Sequence, residues 1–136
     1  MIETSLYLPI KRFLEGLGFE VKGEVCGCDV VALDGGVPAA VVIAELKLAF
    51  TLELLLQAVD RLPACDDVWL AVSASRRGRG REGDARVRKL CRLLGFGLVA
   101  VSAMGNVEVI VEPVPWRPRR DQKRRSRIVE EHRKRR

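Results

Sequence analysis

Asp29, Glu45 and Lys47 are the residues whose types and spacing suit chemistry in this chain. On a β-strand, positions two apart share a face, so Glu45 and Lys47 project together while Ala44, Leu46 and Leu48 face the other way. Asp29 stands at the start of an apolar run from Cys28 to Leu33. That run is followed by Asp34-Gly35-Gly36, a hairpin signal because such residues adopt positive φ readily. The turn lays this run antiparallel to the next one, Ala39 to Leu48, and places Asp29 opposite the stretch from Ala44 to Leu46. Two carboxylates and an ammonium are therefore expected on one patch.

Charges at the end of a Val/Ile-rich strand are partly desolvated and cost stability unless they are used. Asp29 and Glu45 offer hard oxygen ligands, and the main-chain carbonyl of Leu46 completes a site for Mg²⁺ or Mn²⁺ with positions left for water and a phosphate oxygen. A bound metal ion lowers the pKa of its water and neutralises charge building on phosphate. Lys47 is placed to orient that water or to stabilise a developing oxyanion. Phosphodiester hydrolysis is the chemistry these parts suit. The competing reading is an ordinary cross-strand ion pair of Asp29 or Glu45 with Lys47 on a half-exposed sheet.

The elements that must position these residues follow from periodicity. Residues 4–17 place Leu6, Ile10, Phe13, Leu14 and Leu17 near helical spacing, with Thr4 or Ser5 as candidate caps and Gly16 or Gly18 at the end. Alternation from Phe19 to Val25 predicts a strand, followed by the strands Cys28 to Leu33 and Ala39 to Leu48. Leu52 to Leu62 turns helical and stops at Pro63. Val68 to Val72 reads as a buried strand and Ala85 to Leu94 as a helix closed by Gly95. Leu98 to Val101 and Val107 to Val111 read as the last two strands. The order α-β-β-β-α-β-α-β-β implies an α/β fold with a mixed sheet flanked by helices.

A chain of 136 residues, 48% hydrophobic and 31% charged, has the size and balance of one globular domain. It contains no run of the ~20 apolar residues a spanning helix needs. The start, Met1-Ile2-Glu3-Thr4-Ser5, lacks a basic region ahead of an apolar stretch, so a cytoplasmic protein without membrane partners is expected. Cys26, Cys28, Cys65 and Cys91 lack the spacing of a zinc ribbon or disulfide framework and read as reduced thiols in small buried sites.

The net charge of +6 hides a segregation. Residues 1–75 hold five basic and eleven acidic side chains, residues 76–92 eight and two, and residues 117–136 eleven and three. An acidic half beside basic blocks suits a polyanion held next to a carboxylate-rich spot. Arg76, Arg77, Arg79 and Arg81 lie in a loop expected to be mobile and to wrap a phosphate backbone, with plain surface disorder as the alternative. Its glycines satisfy G-x-G-x-x-G, but the crowding by arginines and the missing ribose-binding carboxylate argue against a dinucleotide site. Arg117, Arg119, Arg120, Lys123, Arg124 and Arg125 make residues 117–136 a basic tail or helix appended to a domain at 1–116.

Asp29, a hairpin, Glu45-Leu46-Lys47 at the end of an apolar strand and a following helix with Gln57 together resemble the PD-(D/E)XK nuclease superfamily. More narrowly, five stretches are similar to a bacterial family of uncharacterised proteins assigned to PD-(D/E)XK phosphodiesterases: Glu3 to Tyr7, Phe19 to Glu24, Cys28 to Val31, Glu45 to Lys47 and Leu56 to Leu62. The similarity reaches to about Arg125. It implies a restriction-endonuclease-like fold with an αβββαβ core plus a further helix and two strands. It also implies metal ligation by Asp29 and Glu45, a catalytic Lys47, and Gln57 beside the site. The superfamily often adds an acid, for which Glu3, Glu15 and Glu24 are the candidates. Cys28 stands where the narrow motif has proline. The implied protein is a Mg²⁺-dependent nuclease acting on nucleic acid, DNA ahead of RNA, with a homodimer open. The alternatives are a nuclease-like fold that binds nucleic acid without cutting it, and a scaffold whose basic tail docks on an acidic partner.

Overall fold

The computed structural model describes residues 2–115 and 122–135. A 3-10 turn at Glu3–Leu6 leads into α1 (Tyr7–Gly16), and Pro9 falls in the first turn of α1, where a missing N–H costs nothing. Neither Thr4 nor Ser5 caps the helix by its side chain, because the 3-10 turn already carries the chain into α1. There follow β1 (Glu20–Val25), β2 (Cys28–Leu33), β3 (Val41–Lys47), α2 (Leu52–Arg61), β4 (Asp67–Ser73), α3 (Ala85–Leu94), β5 (Gly97–Val101), β6 (Val107–Val111) and α4 (Gln122–Lys134).

Local signals explain the boundaries. Thr51 Oγ1 accepts the Leu54 N–H to start α2, and Asp84 accepts the Arg86 N–H to start α3. Gly95, at φ 77°, closes α3 in the left-handed conformation that a side chain resists. The six strands form one sheet in sequence order, with β1, β2 and β3 antiparallel, β3, β4 and β5 parallel, and β6 antiparallel to β5.

Alternate side chains send the sheet's apolar residues to two cores. On one face Leu6, Ile10 and Leu14 of the N-terminal helical segment pack on Val30, Ala44, Trp69 and Val99, and Phe13 meets Trp69 edge-on with ring centroids 5.3 Å apart. On the other face Leu54, Ala58 and Cys91 from α2 and α3 cover Val68, Leu70, Val72 and Leu98. Fully burying each of the larger aliphatic side chains contributes roughly 1.5–3 kcal/mol. Helices therefore cover both faces of a mixed sheet, with β4 and β5 buried in its middle.

Two expectations are corrected. The β2–β3 connection does not use left-handed glycines, since neither Gly35 nor Gly36 has positive φ. Instead Asp34 Oδ1 accepts the N–H groups of Gly36 at 2.9 Å and Ala40 at 2.8 Å, bracing a longer loop that contains a cis peptide bond at Val37–Pro38. The tight turn is the β1–β2 one, where Cys26 (φ 51°) and Gly27 (φ 77°) both adopt the left-handed region that a two-residue hairpin requires. That turn exposes Cys26, and Cys65 is only half-buried, so only Cys28 and Cys91 fill buried sites.

Candidate functional site

The site begins where two ladders fail. Pairing between β2 and β3 ends at Val30 with Ala44, whereas β3 continues beside β4 to Lys47 with Val72. Three residues of β3, Glu45 to Lys47, thus run on without a main-chain partner on the β2 side. Buried N–H groups must be satisfied, and two carboxylates do it. Asp29 Oδ2 accepts the Leu46 N–H at 2.8 Å, and Glu45 Oε2 accepts the Asp29 N–H at 3.2 Å. Each acid is locked to the main chain of the other's strand, so Asp29 and Glu45 come together as the hairpin predicts. Across β1 the pairing also skips Glu24, which sits at φ 54°. A left-handed glutamate is a strained choice and marks a place where the backbone is held by its surroundings.

Glu45 is the more buried of the two acids, with 2% of its side chain exposed on the face that α2 covers. Its Oε1 accepts a hydrogen bond from Arg61 Nε at 2.6 Å, and Arg61 Nη2 also donates to the Gly27 carbonyl at 2.9 Å. Burial pushes the Glu45 carboxyl above its ordinary range, the Arg61 guanidinium pulls it back, and neighbouring Asp29 adds to the rise. Strand spacing assigns Arg61 no role. The available signal is helical: Gln57 and Arg61 are four apart on α2 and share a face.

A cleft of about 660 Å³ opens at this splayed end of the sheet, lined by Glu3, Thr4, Tyr7, Gly23, Glu24, Asp29, Leu46, Lys47 and Gln57. The Tyr7 ring lies over Gly23, where an added Cβ would sit 3.2 Å from the ring. Lys47 Nζ is shared between Glu53 Oε2 at 3.3 Å and Glu3 Oε1 at 3.8 Å. Asp29, Leu46, Lys47, Gln57, Glu3 and Glu24 therefore border one space. Glu15 does not: it is exposed on α1 and lies outside the lining, because the cleft is walled by the turn that precedes α1 and by Tyr7, the first residue of that helix. Glu45 is also absent from the lining, since it faces Arg61 behind Asp29. The single patch expected from strand alternation is thus divided, with Lys47 paired to Glu3 and Glu53 and Glu45 paired to Arg61.

Among the described residues no group of three or more His, Cys, Asp or Glu side chains forms a ready-made metal cage. The donor chemistry nevertheless fits a hard cation that keeps most of its water, because Mg²⁺ is commonly held by one or two carboxylates. Asp29 presents its carboxylate to the cleft, and Glu45 stands against the Asp29 main chain with Arg61 on one oxygen.

The basic loop expected to be mobile is folded. It forms two 3-10 turns, Arg76–Gly78 and Arg81–Gly83, around a buried Glu82 that accepts the Ser75 N–H at 2.6 Å. Arg76, Arg77 and Arg79 remain exposed, whereas Arg81 turns its guanidinium to the Phe50 carbonyl at 3.4 Å. Lys123, Arg124 and Arg125 lie on α4, an exposed helix that buries no side chain. Arg117, Arg119 and Arg120 fall outside the described residues. Among the described residues no helix is long and apolar enough to cross a membrane. No family model matches this chain, and neither a curated protein nor a solved structure does.

Proposed function

We propose that the protein is a Mg²⁺- or Mn²⁺-dependent phosphodiesterase acting on nucleic acid, with DNA the favoured polymer, built on a restriction-endonuclease-like arrangement of its α/β fold. One observation carries this reading. Asp29 and Lys47 border the same open cleft, while Glu45, on the strand that bears Lys47, is hydrogen-bonded to the Asp29 main chain. Asp29 and the Leu46 carbonyl, with Glu45, are the groups that would hold the cation. When bound, that cation supplies an activated water and charge neutralisation on phosphate.

The remaining work falls to side chains. Lys47, held at the cleft by Glu3 and Glu53, is positioned to bind a non-bridging phosphate oxygen and to stabilise its growing charge. Gln57 is an uncharged hydrogen-bonding group on the same wall, suited to orienting water or a phosphate oxygen. Glu3 and Glu24 add negative charge that attracts a divalent ion, and the arginines of the 76–79 turn offset the repulsion of a polyanion.

A second reading, a nuclease-like fold that binds nucleic acid without cutting it, is favoured by one contact: Arg61 already neutralises Glu45. The test is incubation with single-stranded, duplex and branched DNA and RNA in Mg²⁺ or Mn²⁺, with Lys47→Ala and Asp29→Asn alongside. Cleavage that both substitutions abolish is the expected result. Binding of nucleic acid with no cleavage under any condition hands the case to the second reading.

A further inference from the structure

The loop between β4 and α3 has an interior that a flexible basic sleeve would not need. Glu82, only 5% exposed, points back to the Ser75 N–H, and the Gly80 N–H donates to Ser75 Oγ at 2.7 Å. Arg88 Nε reaches the Glu82 carbonyl at 3.4 Å, tying the loop to α3. A side chain at Gly83 would collide with the Gly78 carbonyl, and one at Gly80 with the Glu82 carboxylate. Arg77 is held at φ 56°, a left-handed conformation that an L side chain adopts at a cost.

This scaffold surrounds a cleft of about 390 Å³ lined by Ser75, Arg76, Arg77, Arg79 and Gly80. Among the described residues the three guanidiniums have no ion-pair or side-chain hydrogen-bond partner, although Arg61 and Arg86 elsewhere are paired. Like charges gathered on a fixed loop repel one another, and an anion with several acceptor oxygens relieves that repulsion. Guanidinium forks match phosphate oxygens two at a time.

We propose that this cleft is a preformed seat for a phosphoryl group, supplied by an internal phosphodiester or by a terminal phosphate of a nucleic-acid strand. The choice of a nucleic acid as its bearer rests on the function proposed above. A further cleft of about 460 Å³, lined by Leu48 to Thr51, Ser73 to Ser75 and Gly80 to Glu82, connects the seat with the end of β3 just beyond Lys47. Both the seat and Lys47 therefore lie at the carboxyl ends of the parallel strands β3 and β4, the edge where open α/β sheets place their ligands. A strand with one phosphate beside Asp29 and Lys47 is led along this edge to the seat, which holds it at a second point.

The test is fluorescence anisotropy of the full chain in EDTA, so that cleavage plays no part. The probes are 5′-phosphorylated and 5′-hydroxyl single-stranded oligonucleotides and a duplex, with inorganic phosphate as competitor. The variant Arg76→Gln/Arg77→Gln/Arg79→Gln is compared with Arg86→Gln/Lys89→Gln/Arg92→Gln, which removes the same charge from the exposed side of α3. The seat variant is expected to bind at least about tenfold more weakly. Its log–log salt slope should fall by about 0.7 for a single strand, or about 0.9 for duplex, for each phosphate it no longer neutralises. The α3 variant is expected to bind within about twofold of the parent. A preference for the 5′-phosphorylated probe that vanishes in the seat variant identifies a terminal phosphate, and equal binding of both probes identifies an internal one. Equal losses in the two triple variants, or no binding by the parent protein, overturn the seat. Absent cleavage with the seat behaviour intact overturns the hydrolase and leaves the seat standing.

Discussion

Replacing Arg61 by methionine keeps an apolar stem and removes the cation that faces Glu45. The carboxylate it leaves behind is 2% exposed, and its Oε1 loses a 2.6 Å charge-assisted hydrogen bond. Breaking one partner of a buried ion pair costs about 3–5 kcal/mol. Arg61 is itself 26% exposed and Glu45 Oε2 keeps the Asp29 N–H, so water and the main chain recover part of the loss. The low end, about 3 kcal/mol at pH 7, is therefore expected.

The sign of the pH dependence is determined by Glu45. Its carboxyl already titrates above the ordinary value of 4.5 because of burial, and losing Arg61 removes the largest influence that lowers it. A raised folded-state value means that the ionised form is what destabilises the fold. Stability contributed by the protonated acid is fully present below the unfolded value and is lost as pH rises through the folded one. The Arg61→Met deficit should consequently be largest at neutral pH and shrink as pH falls toward 4.5. Urea denaturation followed by tryptophan fluorescence, at several pH values, measures it. Glu45→Gln in the Arg61→Met background should recover most of the deficit, because the stranded charge is gone. Arg61→Lys keeps the charge but drops the fork that also reaches the Gly27 carbonyl, and should cost about 1 kcal/mol. A loss below about 1 kcal/mol for Arg61→Met, or one that is the same at every pH, would refute the argument.

Other outcomes follow from separate parts of the molecule. At a hundredfold excess over its Kd, Mg²⁺ or Mn²⁺ should stabilise the protein by about 2.7 kcal/mol in calorimetry, and Asp29→Asn should abolish the effect. Gly97→Ala drives a methyl group into the Trp69 ring and should cost about 1–3 kcal/mol in chemical denaturation. Brief alkylation at pH 8 followed by mass spectrometry should modify exposed Cys26 and spare Cys65 and Cys91, whose thiols burial pushes up to about 11. Deleting residues 122–136 should leave the unfolding midpoint unchanged, since α4 buries no side chain, while lowering the salt dependence of nucleic-acid binding.

Much of the fold was legible because its signals are local. Alternation from Phe19 to Val25, the stop at Pro63 and the closing Gly95 act within a few residues of chain, and the element order follows from them. The facing of Asp29 and Glu45 was legible for the same reason, since one hairpin relates them. The β1–β2 turn escaped because a cysteine carries one of its two positive-φ positions.

Tertiary structure alone decided what each charge meets. Glu45 reaches Arg61 only through the docking of α2 on the sheet, which settles the side of the helix that faces the strand. The cleft exists because β2 joins β3 only from Val30 onward while β4 keeps its hold to Lys47, and that competition between two ladders has no signature in the spacing of one strand. Around Glu82 a run of arginines and glycines became a folded loop, because the buried carboxylate accepts the Ser75 N–H while the Ser75 hydroxyl accepts the Gly80 N–H. Periodicity records which face of an element is apolar, whereas the partner of a polar group depends on distances that exist only after the elements have packed.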